Sequence, residues 1–253
     1  MTRAVVNVAS DSWVRGQNRL HKRLHEMGEN LVLWTNQLPP GSPPHRLHGA
    51  FAGTQEKNIP YAFKAYALVE AAKQYDTLLW ADACILPVQP LESLWERIER
   101  DGYWISRQGY NNYEWTADSA CKDLFPECGN FDGDYDYTHA REINRTIPHV
   151  VATSFGFSMK HPQGRAFLSE YYRLAGTTRA FCGPWSNANV SGAVAGFRTA
   201  PCGPPDVWGH RHDQTAASVI AWRLGFELTS PPEVFAYRGG EDERTILVAD
   251  GAY

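Results

Sequence analysis

The chain has no apolar run approaching the ~20 residues that a bilayer-spanning helix requires. Met1 leads through Thr2 and Arg3 into a short strand-like segment, not into a long apolar leader, so the expected setting is soluble and cytoplasmic, at most peripheral to a membrane. There is no basic excess: 24 Lys and Arg stand against 28 Asp and Glu, a net charge of -4. The small group Arg19, Lys22 and Arg23 reads as a solvated helix face, and no stable nucleic-acid partner is expected. The five cysteines, Cys84, Cys121, Cys128, Cys182 and Cys202, form no Cys-x-x-Cys pair, which argues against a zinc ribbon and for free thiols in a reducing compartment. No Gly-x-Gly-x-x-Gly follows the first strand, and no Gly-rich loop leads into a lysine, so dinucleotide and P-loop sites are disfavoured. Internal repeats, low-complexity tails and linkers are also missing, and one domain over residues 1–253 is the expected organisation.

What is present is an ordinary globular composition, 43% hydrophobic and 21% charged, enough for one sizeable core. Ala4 to Ala9 is a short apolar run suited to a buried strand. Ser10, Asp11 and Ser12 are N-cap candidates for a helix in which Leu20, Leu24 and Met27 recur at helical spacing before Gly28. Leu31 to Trp34 completes a strand-helix-strand opening. Further helices are expected over 61–73, 90–98, 162–174 and 213–224, and further strands at 76–80, 103–106, 150–159 and 245–249. Residues 108–147 show little periodicity and read as one long functional loop, and a second Gly/Pro/Asn-rich loop runs over 183–209.

Chemistry concentrates at three places. The strand Thr77-Leu78-Leu79-Trp80 ends at Ala81-Asp82-Ala83-Cys84, which puts Asp82 at the carboxyl end of a strand, where open α/β sheets bind ligands. Its bland alternative is a structural turn. Lys64, on the preceding helix, is either a phosphate contact or an ordinary surface lysine. The run Gly209-His210-Arg211-His212-Asp213-Gln214 opens a late helix, where Asp213 is either a helix cap or an acid with a chemical task. His210 and His212 with Asp213 also suggest a metal-dependent hydrolase, although a lone His-x-His is weakly specific. Ser10 and Asp11 are either caps or ligand contacts. Tyr110, Trp115, Trp185 and Trp208 fall in or beside the two long loops, where aromatic rings either anchor loops or stack on sugars. Asp132, Asp134 and Asp136 lack the glycine and distal glutamate of a calcium loop and read as a solvated acidic turn.

The order of Phe63-Lys64, Leu78-Leu79-Trp80-Ala81-Asp82-Ala83-Cys84 and Asp213-Gln214 resembles the GT-A nucleotide-sugar glycosyltransferases, in particular small bacterial or viral members of the DxD type. The missing Gly-rich start separates the chain from the sugar-phosphate nucleotidyltransferases. The resemblance implies one Rossmann-like α/β domain, with a mixed, mainly parallel sheet flanked by helices. A donor half would cover about 1–107 and an acceptor half about 108–253. It implies transfer of a hexose or deoxyhexose from a UDP- or GDP-sugar, UDP favoured, to a hydroxyl of a glycan or other acceptor. Donor contacts would come from Ala9, Ser10, Asp11, Lys64, Trp80, Asp82 and Ala83. Asp82 matches the first acid of the motif that binds Mn²⁺ or Mg²⁺, but Cys84 replaces the second, and a thiol is a poor ligand for a hard cation. Either His210 or His212 would then complete the metal shell, or the metal is absent and Asp82 contacts ribose or donor sugar. Asp213 would be the general base of an inverting reaction, and Tyr110, Trp115, Trp185 and Trp208 would line the acceptor site. A non-catalytic nucleotide-sugar-binding module, lacking the second acid, remains a separate reading.

Overall fold

The computed structural model describes residues 1–44, 58–177, 179–190 and 199–251. Part of the second Gly/Pro/Asn-rich stretch, residues 191–198, lies outside the described residues. The chain opens with β1 (Arg3–Ala9), a single 3-10 turn and then α1 (Val14–Glu26). β2 (Leu31–Thr35) pairs parallel to β1. α2 (Phe63–Ala71) leads into β3 (Thr77–Ala81), which pairs parallel to β1 on its other side. A tight turn then gives β4 (Ile85–Pro87), α3 (Glu92–Asp101) and β5 (Tyr103–Asn111). Two short helices, α4 (Asp118–Leu124) and α5 (Tyr137–Arg145), precede β6 (Pro148–Ser158). α6 (Pro162–Thr177), the two-residue strands β7 (Ser186–Asn187) and β8 (Thr199–Ala200), and α7 (His212–Arg223) follow. The chain closes with β9 (Val234–Tyr237) and β10 (Thr245–Ala249).

The main sheet has the order β2-β1-β3-β6-β5. β6 is antiparallel to both neighbours, so β2, β1, β3 and β5 all point one way. A second sheet, β4-β10-β9, lies against one face. Strand alternation sorts the apolar residues into two cores. Ala4, Val6 and Val8 of β1 and Leu78 and Trp80 of β3 face α2, α6 and α7. Val5, Leu79 and Ala81 face α1, α3 and the second sheet. With both faces covered, these strands read as continuous apolar runs rather than alternating ones. Among the described residues, no helix is long and apolar enough to cross a membrane.

Two expectations are corrected. Residues 108–147 are not one long loop: they carry α4, α5 and two 3-10 turns, one held by a reciprocal capping box between Asn111 and Glu114. Both helices are short: α4 buries Ala120, Cys121 and Leu124 and α5 only Ala140 and Asn144, so each gives too brief a stripe to stand out in a polar stretch. Arg19 and Arg23 are not a solvated face either. Arg19 pairs with Asp250 at 2.9 Å, and Arg23 Nε donates to the Pro87 carbonyl at 3.0 Å, clamping α1 onto the second sheet. The acidic run Asp132–Asp136 is a turn centred on Asn130, whose side chain accepts from the backbone N–H groups of Asp132 and Asp134.

Candidate active site

The chain leaves β1 toward β2 on one side and later returns to place β3 on the other, so a crevice opens at the carboxyl ends of β1 and β3, the place where such sheets bind ligands. A cleft of about 280 Å³ lies there, lined by Val8, Ala9, Ser10, Trp13, Tyr61, Phe63, Lys64, Asp82, Ala83, Cys84 and Thr153. Of the residues singled out from the sequence, Ala9, Ser10, Lys64, Asp82, Ala83 and Cys84 are brought together in this lining. Trp13, Tyr61 and Thr153 join them without a prior signal.

The walls are fixed by buried polar contacts that pattern reading does not see. Asn7, wholly buried in β1, donates to the Ala81 carbonyl at 2.6 Å and accepts from Gln17 of α1 at 2.7 Å. Gln17 also donates to the Trp34 carbonyl and accepts from Thr35, which ties the ends of β1, β2 and β3 to one helix. Gly16 lets α1 approach the turn after β3: a Cβ there would sit 2.3 Å from the Ala83 carbonyl oxygen. The turn itself is pinned by the Asp82 N–H to the Thr153 carbonyl and the Ile85 N–H to the Asp82 carbonyl.

At the floor, Lys64 is 3% exposed and its ammonium lies 3.0 Å from Asp82 Oδ1, 3.0 Å from Asp213 Oδ2 and 2.9 Å from the Ala152 carbonyl. Three donors thus meet three acceptors. Trp80, buried beneath the cleft, donates its indole N–H to Asp82 Oδ1 at 2.7 Å, so it orients the acid rather than lining the site. One cation between two carboxylates leaves one excess negative charge. Burial opposes the Lys64 charge, but the two acids outweigh it and hold its pKa above the usual lysine value. The excess bears most on Asp213, which is deeper. Burial and the Asp82 charge raise its pKa to about 6 against the pull of Lys64. Tyr171 reaches the same carboxylate at 3.4 Å.

Asp213 therefore sits behind Lys64, not at the cleft wall, and it caps no helix: α7 begins with no side-chain cap. Asp11 stands outside the cleft lining. Its carboxylate accepts from the Ser10 hydroxyl, its N–H donates to Asn36, and its φ is 54°. Ser10 makes no side-chain cap. Tyr61 and His212 also have positive φ, 59° and 48°, and their rings are 5.6 Å apart beside the Lys64 group. Backbone strain in non-glycine residues is held only where the surroundings over-determine it, commonly at functional sites.

The candidate metal ligands do not make a preformed site. Asp82 already serves Trp80 and Lys64, and Cys84 offers soft sulfur where a hard cation needs several oxygens. The Ala117 N–H donates to His210 Nδ1, so the proton is on Nε2, which donates to the Ala180 carbonyl at 2.9 Å. Burial lowers the His210 pKa to about 4, and the neutral ring has both nitrogens committed. His212 Nδ1 lies 3.0 Å from the Phe181 carbonyl. No group of three or more His, Cys, Asp or Glu suited to a metal ion occurs among the described residues.

The four aromatic residues expected at the acceptor side come together. Trp115 and Trp208 meet edge to face at 5.4 Å, and Tyr110 lies 6.1 Å from each. Trp185 stands 5.8 Å from His212. The residue that unites them is Arg211, whose guanidinium lies 3.6 Å from the Trp115 ring centre and 4.0 Å from that of Trp185. Sequence reading passed over Arg211, because its meaning depends on rings up to a hundred positions away.

No family model matches the chain, and no curated protein matches it by sequence. Its fold does have counterparts among solved structures. A glycosyltransferase involved in the glycosylation of the major capsid of PBCV-1 aligns with a TM-score of 0.52 at 10% identity, over 100% of this chain and 94% of that one. The bifunctional glycosyltransferase WbbM aligns with a TM-score of 0.50 at 9% identity, over 100% of this chain but only 46% of WbbM. At these identities the likeness is one of fold: a mixed α/β, Rossmann-like architecture shared with glycosyltransferases.

Proposed function

We propose that this protein is a glycosyltransferase that takes a hexosyl or deoxyhexosyl group from a UDP- or GDP-sugar and passes it to an acceptor hydroxyl. The observation that carries this reading is the cleft at the β1/β3 switch point, with the Asp82 carboxylate held at its floor by Trp80 and Lys64. The glycosyltransferase-like fold supports it. In this reading the nucleoside lies along Ala9 and Ser10 against the aromatic walls Trp13, Tyr61 and Phe63, and Asp82 accepts hydrogen bonds from ribose or donor-sugar hydroxyls. Lys64 is the fixed positive charge nearest the diphosphate. Because the donor set does not fit a divalent cation, no step is assigned to one. Asp213 serves Lys64, and only displacement of that lysine would free it to take the acceptor proton.

The test is thermal stabilisation by a panel of UDP- and GDP-sugars, each with and without Mn²⁺, on the wild type and on Asp82→Asn. A ligand held at 100 times its dissociation constant adds about 2.7 kcal/mol of stability. One nucleotide sugar should shift the wild type, without need of Mn²⁺, and fail to shift Asp82→Asn. A wild type stabilised by none of the panel would end this reading.

A further inference from the structure

Arg211 is unusual among the arginines that are partly buried here. Arg3, Arg19 and Arg141 each pair with a carboxylate. Arg211 lies against two indole rings, spends one N–H on the Trp185 carbonyl at 2.9 Å, and has no acid partner among the described residues. The neighbours that favour its charge are the phenols of Tyr61 and Tyr110, and burial lowers its pKa to about 10. Beside it, the Trp115 indole N–H is shut off from solvent and meets no acceptor among the described residues. A cation thus lies between two indole rings with no counter-ion among the described residues, an arrangement that costs free energy until an anion meets it. Its rim is aromatic: Trp208 is 44% exposed and Tyr110 45%. Tyr61, which lines the cleft, lies 5.6 Å from His212, and His212 lies 5.8 Å from Trp185, so a run of rings joins the slot to the cleft.

From this we infer that the Trp115–Arg211–Trp185 slot is a subsite for an oxyanion borne on a sugar, with the guanidinium fork taking the carboxylate or phosphate and Trp208 and Tyr110 stacking on the ring. Its designation as the acceptor subsite rests on the transferase reading; the anion-binding chemistry does not. An acidic sugar seated there lies next to whatever occupies the cleft, which makes the acceptor an anionic glycan.

The experiment measures binding of three probes by titration calorimetry: methyl β-glucuronide, glucose 6-phosphate and methyl β-glucoside. The proteins are the wild type, Arg211→Gln, Arg211→Lys and Trp208→Ala, and the nucleotide-sugar thermal shift is read on the same samples. The wild type should prefer at least one acidic probe over the glucoside by at least tenfold, and the better of the two tells carboxylate from phosphate. Arg211→Gln should erase the preference and leave the nucleotide-sugar shift intact. Arg211→Lys, which keeps the charge but loses the fork, should retain only part of it. Trp208→Ala, a change at the exposed rim, should weaken all sugars that bind and so tests the slot even where an Arg211 variant fails to fold. Equal affinity of the wild type for all three probes would overturn the inference. So would an Arg211→Gln protein that loses the nucleotide-sugar shift together with acidic-sugar binding, because Arg211 would then belong to the donor site. Acidic-sugar binding that depends on Arg211, in a protein that no nucleotide sugar stabilises, would uphold the slot and remove the transferase reading.

Discussion

At the residue scale, the Lys64 group carries the sharpest consequences. Lys64 offsets two carboxylates, one of them 6% exposed in its side chain, so Lys64→Met leaves buried acid without a partner and should cost on the order of 3–5 kcal/mol. Adding Asp213→Asn to Lys64→Met should recover part of that loss, because the two share one interaction; strict additivity in denaturant titrations would show that they do not. The pH dependence follows from the raised pKa of Asp213. An acid whose folded pKa is about 6 binds more protons folded than unfolded between its ordinary value of 3.8 and 6. Its contribution is therefore complete below about pH 4, falls as pH rises toward 6, and is flat above. Measured as the difference from Asp213→Asn, wild-type stability should drop across that window; a difference that rises with pH would mean that the ion pair with Lys64, not burial, governs the acid. The same variant separates two roles. If Asp213 holds Lys64, donor affinity falls, whereas if it takes the acceptor proton, turnover falls at unchanged donor affinity.

At the element scale, the approach of α1 to the turn after β3 decides whether the cleft has its shape. Gly16→Ala drives a methyl to 2.3 Å from a backbone oxygen, so the helix or the turn must shift. The expected cost is about 1–3 kcal/mol, as for other overpacked sites, with a weakened nucleotide-sugar shift. Gly109→Ala, on β5, where a Cβ meets nothing within 4 Å, controls for an added methyl without overpacking and should leave the nucleotide-sugar shift intact at no loss of stability. This element also shows what could be read in advance. The run Ala4 to Ala9, the stripe Leu20, Leu24 and Met27, and the stop at Gly28 are local signals, and the structure has β1 and α1 there, with Gly28 at φ 75°. Asp82 was legible because a strand end is a place, not a contact. The pairing of Lys64 with both Asp82 and Asp213 was not, since it joins positions 149 apart by proximity alone. Arg211, Asn7 and Gln17 were hidden for the same reason. α4 and α5 were missed because helices of seven and nine residues carry their apolar stripe over too few turns to be read within a polar stretch.

At the scale of the whole molecule, the cleft depends on a strand far from it in sequence. β10 pairs with β4 immediately beyond the Asp82 turn, and the Asp250 N–H donates to the Cys84 carbonyl at 2.8 Å. Asp250 in turn accepts from Arg19 of α1 and from Arg238, so α1, the turn and the second sheet are latched at one carboxylate that is 17% exposed. A donor that orders the Asp82 turn should therefore stabilise the second sheet through these bonds, while α4 and α5 lie in the other core. Amide hydrogen exchange with and without the nucleotide sugar checks this, because protection reports local opening. The N–H groups of Asp82, Ile85 and Asp250 should slow together, and those of α5 should keep their rates. In Asp250→Ala the turn should exchange faster in the free protein, and the donor should protect it less. If protection instead appears at Asp82 and α5 but not at Asp250, the donor orders the aromatic side of the site directly, and the latch at Asp250 only holds the second sheet to α1.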